Sequence, residues 1–220
     1  MQANQISQQL QGKKIAILMT DGVEQVEYTK PREFLEQHGA DVVLISPKEK
    51  GDSVQGFHHL IPADSFLVEL NVRDANVQDF DALLLPGGVA NPDKLRLSKE
   101  SIDLIRSFAE EEKSIAAICH GPSILIDAGV AQGKRLTSWP SIQQDLLNAG
   151  ASWTDAEVVV DGKLVTSRKP DDIPAFDDAL LENLSQSQEA GGQANGPQRT
   201  QNSKAIQNPI QDDPGSQQTG

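Results

Sequence analysis

The sequence has a single cysteine, Cys119, in 220 residues, which excludes an internal disulfide framework. It also lacks any apolar run long enough to cross a bilayer. Residues 1–12 have neither the basic start nor the apolar core of a secretory signal. We therefore expect a cytoplasmic protein with no membrane association.

Basic residues are scarce as well, since 19 Lys and Arg stand against 32 Asp and Glu, for a net charge of −13. Residues 187–220 hold three acidic and two basic side chains, so nearly all of this charge lies in the rest of the chain. An acidic surface repels phosphate backbones, and no cluster of Lys and Arg offsets it. This composition argues against tight nucleic-acid binding.

Patterns that hold cofactors are missing too. No phosphate-binding or dinucleotide-binding glycine pattern occurs, and the adjacent His58 and His59 lack the spaced cysteines or carboxylates of a metal site. We therefore expect neither a metal nor another cofactor.

The two ends of the chain differ from its centre. Residues 1–12 are rich in Gln, and residues 187–220 are rich in Gln, Asn, Gly, Ser and Pro. Segments of this composition bury too little apolar surface to fold, so we predict that both ends are disordered. Residues 13–186 are long enough for one domain with a full hydrophobic core.

Within residues 13–186, short apolar runs alternate with amphipathic segments, which predicts strands that alternate with helices. This order gives an α/β sandwich with a mostly parallel sheet. The pair Asp161-Gly162 predicts a hairpin near the end of the domain. The main predicted strands are Lys14–Met19, Asp41–Ser46, Phe80–Leu85 and Ile115–Ile118, and the later predicted helices are Ser98–Lys113, Pro140–Gly150 and Ile173–Leu184.

The strand Ile115–Ile118 stops at Cys119, and Gly121-Pro122 then opens a predicted helix. Because the N–H groups of a helix N-terminus favour negative charge, this elbow predicts a lowered pKa for the thiol. A free cysteine is also a common small core residue. A functional cysteine is favoured because the loops TDGVEQVE, PGG and CHG follow three parallel strands and meet at one sheet edge.

The positions of the histidines limit the possible bases. None of His38, His58, His59 and His120 lies well downstream of the cysteine, as an α/β-hydrolase triad, a papain-like dyad or a glutamine amidotransferase requires. The base is then His120, an upstream histidine or a carboxylate. Taken alone, the pattern favours a plain turn residue at His120, because the side chains of adjacent residues usually point apart.

Two carboxylates and a pair of adjacent glycines are the remaining candidate site residues. Glu24 and Glu27 share one face if they open a helix, and an acidic first turn is their simplest role. A Glu27 that supports a thiolate must be protonated, since an ionised carboxylate raises the pKa of a thiol. Gly87 and Gly88 form either a turn or a place where backbone N–H groups bind an oxyanion.

Together, the segments EQVE, FDALLLPGG, IAAICHGPSILIDAG and DAEVVVDGKLVTSRKPDDIPAF resemble the PfpI branch of the DJ-one/PfpI superfamily over about residues 13–186. The resemblance implies a flavodoxin-like three-layer sandwich. It implies that Cys119 is the nucleophile beside His120 and that Glu27 is the carboxylic acid in contact with the thiol. It further implies that Glu24 is a second acidic position of the site and that the N–H of Gly88 serves the oxyanion hole.

The resemblance also implies a homo-oligomer, at least a dimer. In the PfpI branch, an acidic residue shortly after Pro-Gly-Gly approaches the histidine from a neighbouring subunit. Asp93 is the nearest match in this sequence, on a segment one residue longer and with Asp in place of Glu.

Members of the family have been described as intracellular peptidases, deglycases, glyoxalases and stress proteins. We therefore expect a cysteine-dependent hydrolase that acts on carbonyl adducts of small dicarbonyls such as methylglyoxal, with peptide hydrolysis as the nearest alternative. The second hypothesis is a non-enzymatic redox sensor or chaperone in which Cys119 oxidises to a sulfinate. Because no second cysteine exists, an intramolecular disulfide cannot resolve that oxidation.

Overall fold

The computed structural model describes residues 8–191, with side chains through residue 185. Strands and helices alternate along this part of the chain. The strands are β1 (Lys14–Leu18), β2 (Val23–Glu24), β3 (Asp41–Ser46), β4 (Ser53–His58), β5 (Ile61–Leu67), β6 (Leu70–Asn71), β7 (Ala82–Leu85), β8 (Ser114–Ile118), β9 (Arg135–Leu136), β10 (Ser152–Trp153), β11 (Val158–Asp161) and β12 (Leu164–Ser167). The α-helices are α1 (Gln25–Gln37), α2 (Ala90–Leu95), α3 (Lys99–Glu110), α4 (Ile124–Asp127), α5 (Gln143–Asn148) and α6 (Ile173–Gly191).

Seven strands form the main sheet in the order β11-β12-β8-β7-β1-β3-β6. All of its pairs are parallel except β11 with β12, which form the hairpin predicted at Asp161-Gly162. The central strands β1, β7 and β8 are buried along almost their whole length. Their sequences are continuously apolar because a parallel strand between two helix layers is covered on both faces.

Helices cover both faces of the sheet. Leu35 of α1 and Phe176 of α6 pack in the core on one side. Ile105 and Phe108 of α3 pack with Leu146 of α5 in the core on the other side. The predicted three-layer α/β sandwich with a mostly parallel sheet is confirmed.

The segment after β3, whose secondary structure the sequence left open, folds as an antiparallel hairpin of β4 and β5. Strand β4 also pairs with the two-residue strand β2, which lies just before α1. Because β2 ends where α1 begins, this small sheet fixes the position of the first turn of α1. A second small sheet joins β9 to β10.

The boundaries predicted for the two ends need correction. Leu10, assigned to the disordered segment 1–12, is fully buried, and its N–H donates to the carbonyl of His38 at 2.9 Å. Helix α6 continues past the predicted end at Leu184 to Gly191. The remaining residues for which disorder was predicted, 1–7 and 192–220, lie outside the described part.

Within residues 8–191, no helix is both long and apolar enough to cross a membrane.

The burial of Leu10 can be tested by shortening its side chain. Leu10→Ala is expected to lower the free energy of unfolding by about 2–4 kcal/mol, because it removes buried methyl groups and leaves a cavity. Leu97→Ala is the matched control, since Leu97 is 88% exposed. Urea denaturation measures both, and equal stability of the two variants would show that Leu10 is not part of the core.

Candidate active site

The carboxyl ends of β1, β7 and β8 meet at one edge of the sheet, as predicted for the three loops. A cavity of about 430 Å³ opens there. Its lining includes Glu24, Glu27, Gly88, Cys119 and His120, so the structure brings together most of the predicted site residues.

The elbow at Cys119 is a sharp backbone turn. Cys119 has a φ of 62°, in the left-handed region that residues with a side chain seldom adopt. Its N–H donates to the carbonyl of Ser167 at 3.1 Å, and its carbonyl accepts from the N–H of Trp139 at 2.8 Å. A Cβ at Gly121 would lie only 2.4 Å from the carbonyl oxygen of Leu85, so the turn requires glycine there. These contacts hold the strained conformation in place.

The predicted lowering of the thiol pKa is wrong. Burial, and then the negative charge of Glu27 when it ionises, raise the pKa of Cys119, although the N–H groups of Gly88 and His120 act in the opposite direction. The helix that follows the elbow is also short, with one 3-10 turn over Gly121–Ser123 before the four-residue α4. A helix of this length adds little electrostatic stabilisation.

Glu27 lies in the first turn of α1 with its side chain fully buried. Its Oε2 accepts the N–H of Gly87 at 2.8 Å. Its Oε1 has no hydrogen bond of good geometry, although the carboxyl interacts with the thiol of Cys119. Burial raises the pKa of Glu27 to about 8, so this carboxyl carries a proton at neutral pH, as the sequence argument required.

Glu27 and Cys119 act as one titrating unit because each changes the pKa of the other. At neutral pH the pair holds at most one negative charge. If that charge is on sulfur, the protonated carboxyl is a hydrogen-bond donor beside it. Because burial raises both pKa values, the thiol and the carboxyl both keep their protons at neutral pH, and formation of the thiolate requires a base to take the thiol proton.

The two glycines after β7 have different roles. The N–H of Gly87 is used by Glu27, so it is not free to bind an oxyanion. A Cβ at Gly87 would lie 2.7 Å from the Cβ of Cys119 and 2.8 Å from Oε2 of Glu27. Gly88, with a φ of 79°, directs its N–H at the thiol. Of the two candidates, Gly88 is the one placed to stabilise charge at the reacting atoms.

Asn91 joins two of the converging loops and was not found from the sequence. Its buried amide accepts the N–H of Thr20 at 2.7 Å and donates to the carbonyls of Pro86 at 2.9 Å and Gly87 at 3.1 Å. Asn91 therefore fixes the Pro-Gly-Gly turn beside the loop that follows β1. A buried Asn has no local sequence signal, because its burial depends on the packing of α2.

His120 faces the thiol, which corrects the interpretation of it as a plain turn residue. Its Nδ1 lies 3.3 Å from Sγ of Cys119, because the turn at the cysteine brings the two side chains to one side. Its Nε2 lies 3.2 Å from Oγ of Ser141, and its ring stacks on Trp139 with centroids 5.9 Å apart. Burial lowers the pKa of His120, so the imidazole is neutral at pH 7.

Sequence reasoning missed Ser141 and Trp139. The available signal was weak: the segment Thr137-Ser138-Trp139-Pro140 follows β9, which belongs to a separate small sheet, and only the folded structure shows that Trp139 lines the cavity. Nothing in that pattern pointed to a contact with the histidine.

Glu24 also lies at the cavity, at the end of β2. Its Oε2 accepts the N–H of His59 at 2.9 Å, and the Nδ1 atoms of His58 and His59 each lie 4.0 Å from the carboxylate. The upstream histidine pair therefore contacts Glu24. The ring that contacts the thiol is that of His120.

Asp93 is exposed on α2 and lines a neighbouring groove of about 720 Å³ that His120 also borders. The role implied for it depends on a second subunit and stays a prediction. Among the described residues, no cluster of three His, Cys, Asp or Glu side chains could hold a metal ion.

The raised pKa of Glu27 predicts a pH-dependent stability. Between about pH 4.5, the value for a free Glu, and about pH 8, the unfolded state has lost a proton that the folded state keeps. The free energy of unfolding should therefore fall as pH rises through this window, by up to about 1.4 kcal/mol per pH unit. Glu27→Gln removes this contribution.

Urea unfolding at several pH values between 5 and 8 measures the difference. The difference in stability, wild type minus Glu27→Gln, should decrease with pH. Glu110→Gln, at an exposed carboxylate of α3, is the matched control and should follow the wild type. Burial also raises the pKa of Asp177, to about 7, but this group is present in all three proteins and cancels. Parallel curves for wild type and Glu27→Gln would contradict the prediction.

Comparison with known proteins shows what the chain is similar to. Residues 13–183 match the DJ-1/PfpI family. The chain is 45% identical over 164 residues to YraA of Bacillus subtilis, named as a candidate cysteine protease, a match that covers 74% of this chain and 94% of YraA. It is 42% identical over 163 residues to deglycase PfpI of Pyrococcus furiosus, again covering 74% and 94% of the two chains.

Among solved structures, Drosophila melanogaster DJ-1beta superposes with a TM-score of 0.70 at 31% identity, over 81% of this chain and 96% of that one. The match to the family spans more than half of the chain, and the predicted resemblance is confirmed. The protein belongs to the DJ-1/PfpI family.

Proposed function

We propose that this protein is a cysteine-dependent hydrolase that acts on carbonyl adducts of small dicarbonyls such as methylglyoxal, as a deglycase or glyoxalase. The observation that carries the proposal is the pair of Cys119 and His120, with Sγ and Nδ1 3.3 Å apart at a cavity of about 430 Å³. A nucleophile within reach of a neutral base is the basic requirement of covalent catalysis. Relatives named as a deglycase and as a candidate cysteine protease support this reaction class.

The first step is addition of sulfur to the carbonyl carbon. The thiol proton of Cys119 passes to Nδ1 of His120, the new S–C bond forms, and the π electrons of the C=O bond move to oxygen. The proton on the imidazole is then available to the oxyanion or to a leaving amine. Glu27 keeps its proton through this step and donates to the thiolate before it attacks.

Charge on the carbonyl oxygen requires donors that are already in place. The N–H groups of Gly88 and His120 point at the sulfur and lie next to the position of the attacked carbonyl. Preorganised N–H groups in a site of low dielectric are usually the largest source of transition-state stabilisation in acyl-transfer and related reactions. We propose these two groups as the oxyanion hole.

The cavity size favours a small substrate. A volume of about 430 Å³ is at the lower end of the range for ligand pockets. Peptide hydrolysis is the nearest alternative, and it would need the neighbouring groove of about 720 Å³, which His120 and Val89 also border. We further propose a homo-oligomer in which Asp93 of a neighbouring copy faces this groove.

Cys119→Ser tests the reaction directly. It should lower kcat/KM toward a methylglyoxal adduct of an amine by about 10³-fold or more, because loss of a nucleophile removes most of the chemical acceleration. The purified wild type and variant are compared on that adduct and on an unfolded protein. If the wild type processes neither substrate faster than Cys119→Ser, the enzyme proposal fails.

A second candidate function is a redox sensor. It is favoured by Oε1 of Glu27, which is buried without a hydrogen-bond partner beside the only thiol in the chain. A sulfinate at Cys119 would offer an acceptor oxygen to the protonated carboxyl. Peroxide would supply the two oxygen atoms and be reduced to water.

Intact mass spectrometry after mild peroxide treatment tests the sensor. The wild type should gain a discrete mass of two oxygen atoms, and Glu27→Leu should gain it in lower yield, because the carboxyl that stabilises the sulfinate is gone. Cys119→Ser is the control for oxidation at other residues. Equal yields in wild type and Glu27→Leu would count against the sensor.

A further inference from the structure

Both ring nitrogens of His120 have partners within one chain. Nδ1 lies 3.3 Å from Sγ of Cys119, and Nε2 lies 3.2 Å from Oγ of Ser141. Ser141 also lines the cavity. The hydroxyl therefore occupies the place where a hydrolase with a catalytic triad has the group that orients its histidine.

We infer that Ser141 is the positioning residue of His120, and that its Oγ accepts the Nε2–H and so leaves the Nδ1 lone pair facing the thiol. The inference deepens the proposed function, on which its catalytic consequence rests. The direction of this hydrogen bond matters because the two neutral tautomers of the ring have different chemistry.

Only the tautomer protonated at Nε2 can take the thiol proton. Its free lone pair is on Nδ1, so the S–H bond breaks as the Nδ1–H bond forms. The imidazolium that results has two N–H groups, one facing the thiolate and one facing Ser141. In the other tautomer Nδ1 already carries a proton, and the ring cannot act as the base.

The position of Ser141 is fixed by its own turn. The N–H of Trp139 donates to the carbonyl of Cys119 at 2.8 Å, and the N–H of Ile142 donates to the carbonyl of Trp139 at 3.2 Å. The Trp139 ring stacks on the imidazole at an interplanar angle of 24°. The elbow and the Ser141 turn are thus held together by a backbone hydrogen bond, while the stacked ring sets the plane of His120.

This arrangement orients the histidine without a second subunit. An acid from a neighbouring copy, the role proposed for Asp93, would have to compete with a hydroxyl that already faces Nε2. A hydroxyl is neutral, so it fixes the tautomer but stabilises the imidazolium less than a carboxylate would. The expected effect of its removal is therefore moderate.

The experiment compares Ser141→Ala with Ser141→Thr, which keeps the hydroxyl, and with Ser152→Ala, a matched change at an exposed serine of β10. The main readout is the rate of alkylation by iodoacetamide between pH 6 and 9. Because Cys119 is the only cysteine, this rate reports on one thiol and needs no substrate. The second readout is the ¹⁵N signal of the imidazole, assigned to His120 by its loss in His120→Gln.

We expect Ser141→Ala to alkylate about 10-fold more slowly at pH 7, in line with the loss of one hydrogen bond. Its kcat/KM toward the methylglyoxal adduct should fall by a similar factor through kcat, with KM unchanged. Ser141→Thr should recover most of the wild-type rate, and Ser152→Ala should match the wild type. The wild-type ring should carry its proton on Nε2.

Three results would overturn the inference: an alkylation profile of Ser141→Ala equal to that of Ser152→Ala, an equal loss in Ser141→Ala and Ser141→Thr, or a wild-type His120 protonated on Nδ1. If the wild type turns over no substrate, the proposed function fails, but alkylation and the tautomer still test Ser141. Urea denaturation midpoints confirm that the variants are folded.

Discussion

A proton held on a buried carboxyl is the constraint on which the site depends. Glu27 is surrounded by protein, and its only well-formed hydrogen bond comes from the N–H of Gly87. One N–H group does not compensate an ionised carboxylate for the loss of water, so the neutral form is preferred. A neutral carboxyl next to Cys119 can donate to sulfur, whereas a charged one would repel a thiolate. The protonation state of Glu27 thus decides whether a thiolate at Cys119 is stabilised or destabilised.

Much of the fold could be predicted from the sequence because its signals are local. A strand buried on both faces has a continuous apolar sequence, as in Lys14–Leu18 and Ala82–Leu85, and Asp-Gly between two short strands marks a hairpin. The hairpin of β4 and β5 was harder to predict, since apolar side chains such as Leu60 and Ile61 are exposed there. Leu10 was missed because a single leucine in a Gln-rich segment has no periodic partner.

For the site as well, some features could be predicted from the sequence and others could not. The order of the histidines along the chain limited the base to His120, an upstream histidine or a carboxylate, and the topology placed the three loops at one edge. The left-handed backbone at Cys119 has no sequence signal, because cysteine is not a residue that favours that conformation. The raised pKa of the thiol depends on burial by residues distant in the chain, and the contact of Ser141 with His120 spans 21 positions. Both are products of tertiary packing.

Glu24 ends a two-residue strand and Glu27 lies in the first turn of the helix that follows immediately. The strand is held by β4, so its register is fixed, and the helix turns by about 100° for each residue. Insertion or deletion of one residue at this junction would rotate Glu27 away from the cavity while leaving the strand in place. The spacing of these two carboxylates is therefore a length constraint: a chain that keeps this site must keep the number of residues between them.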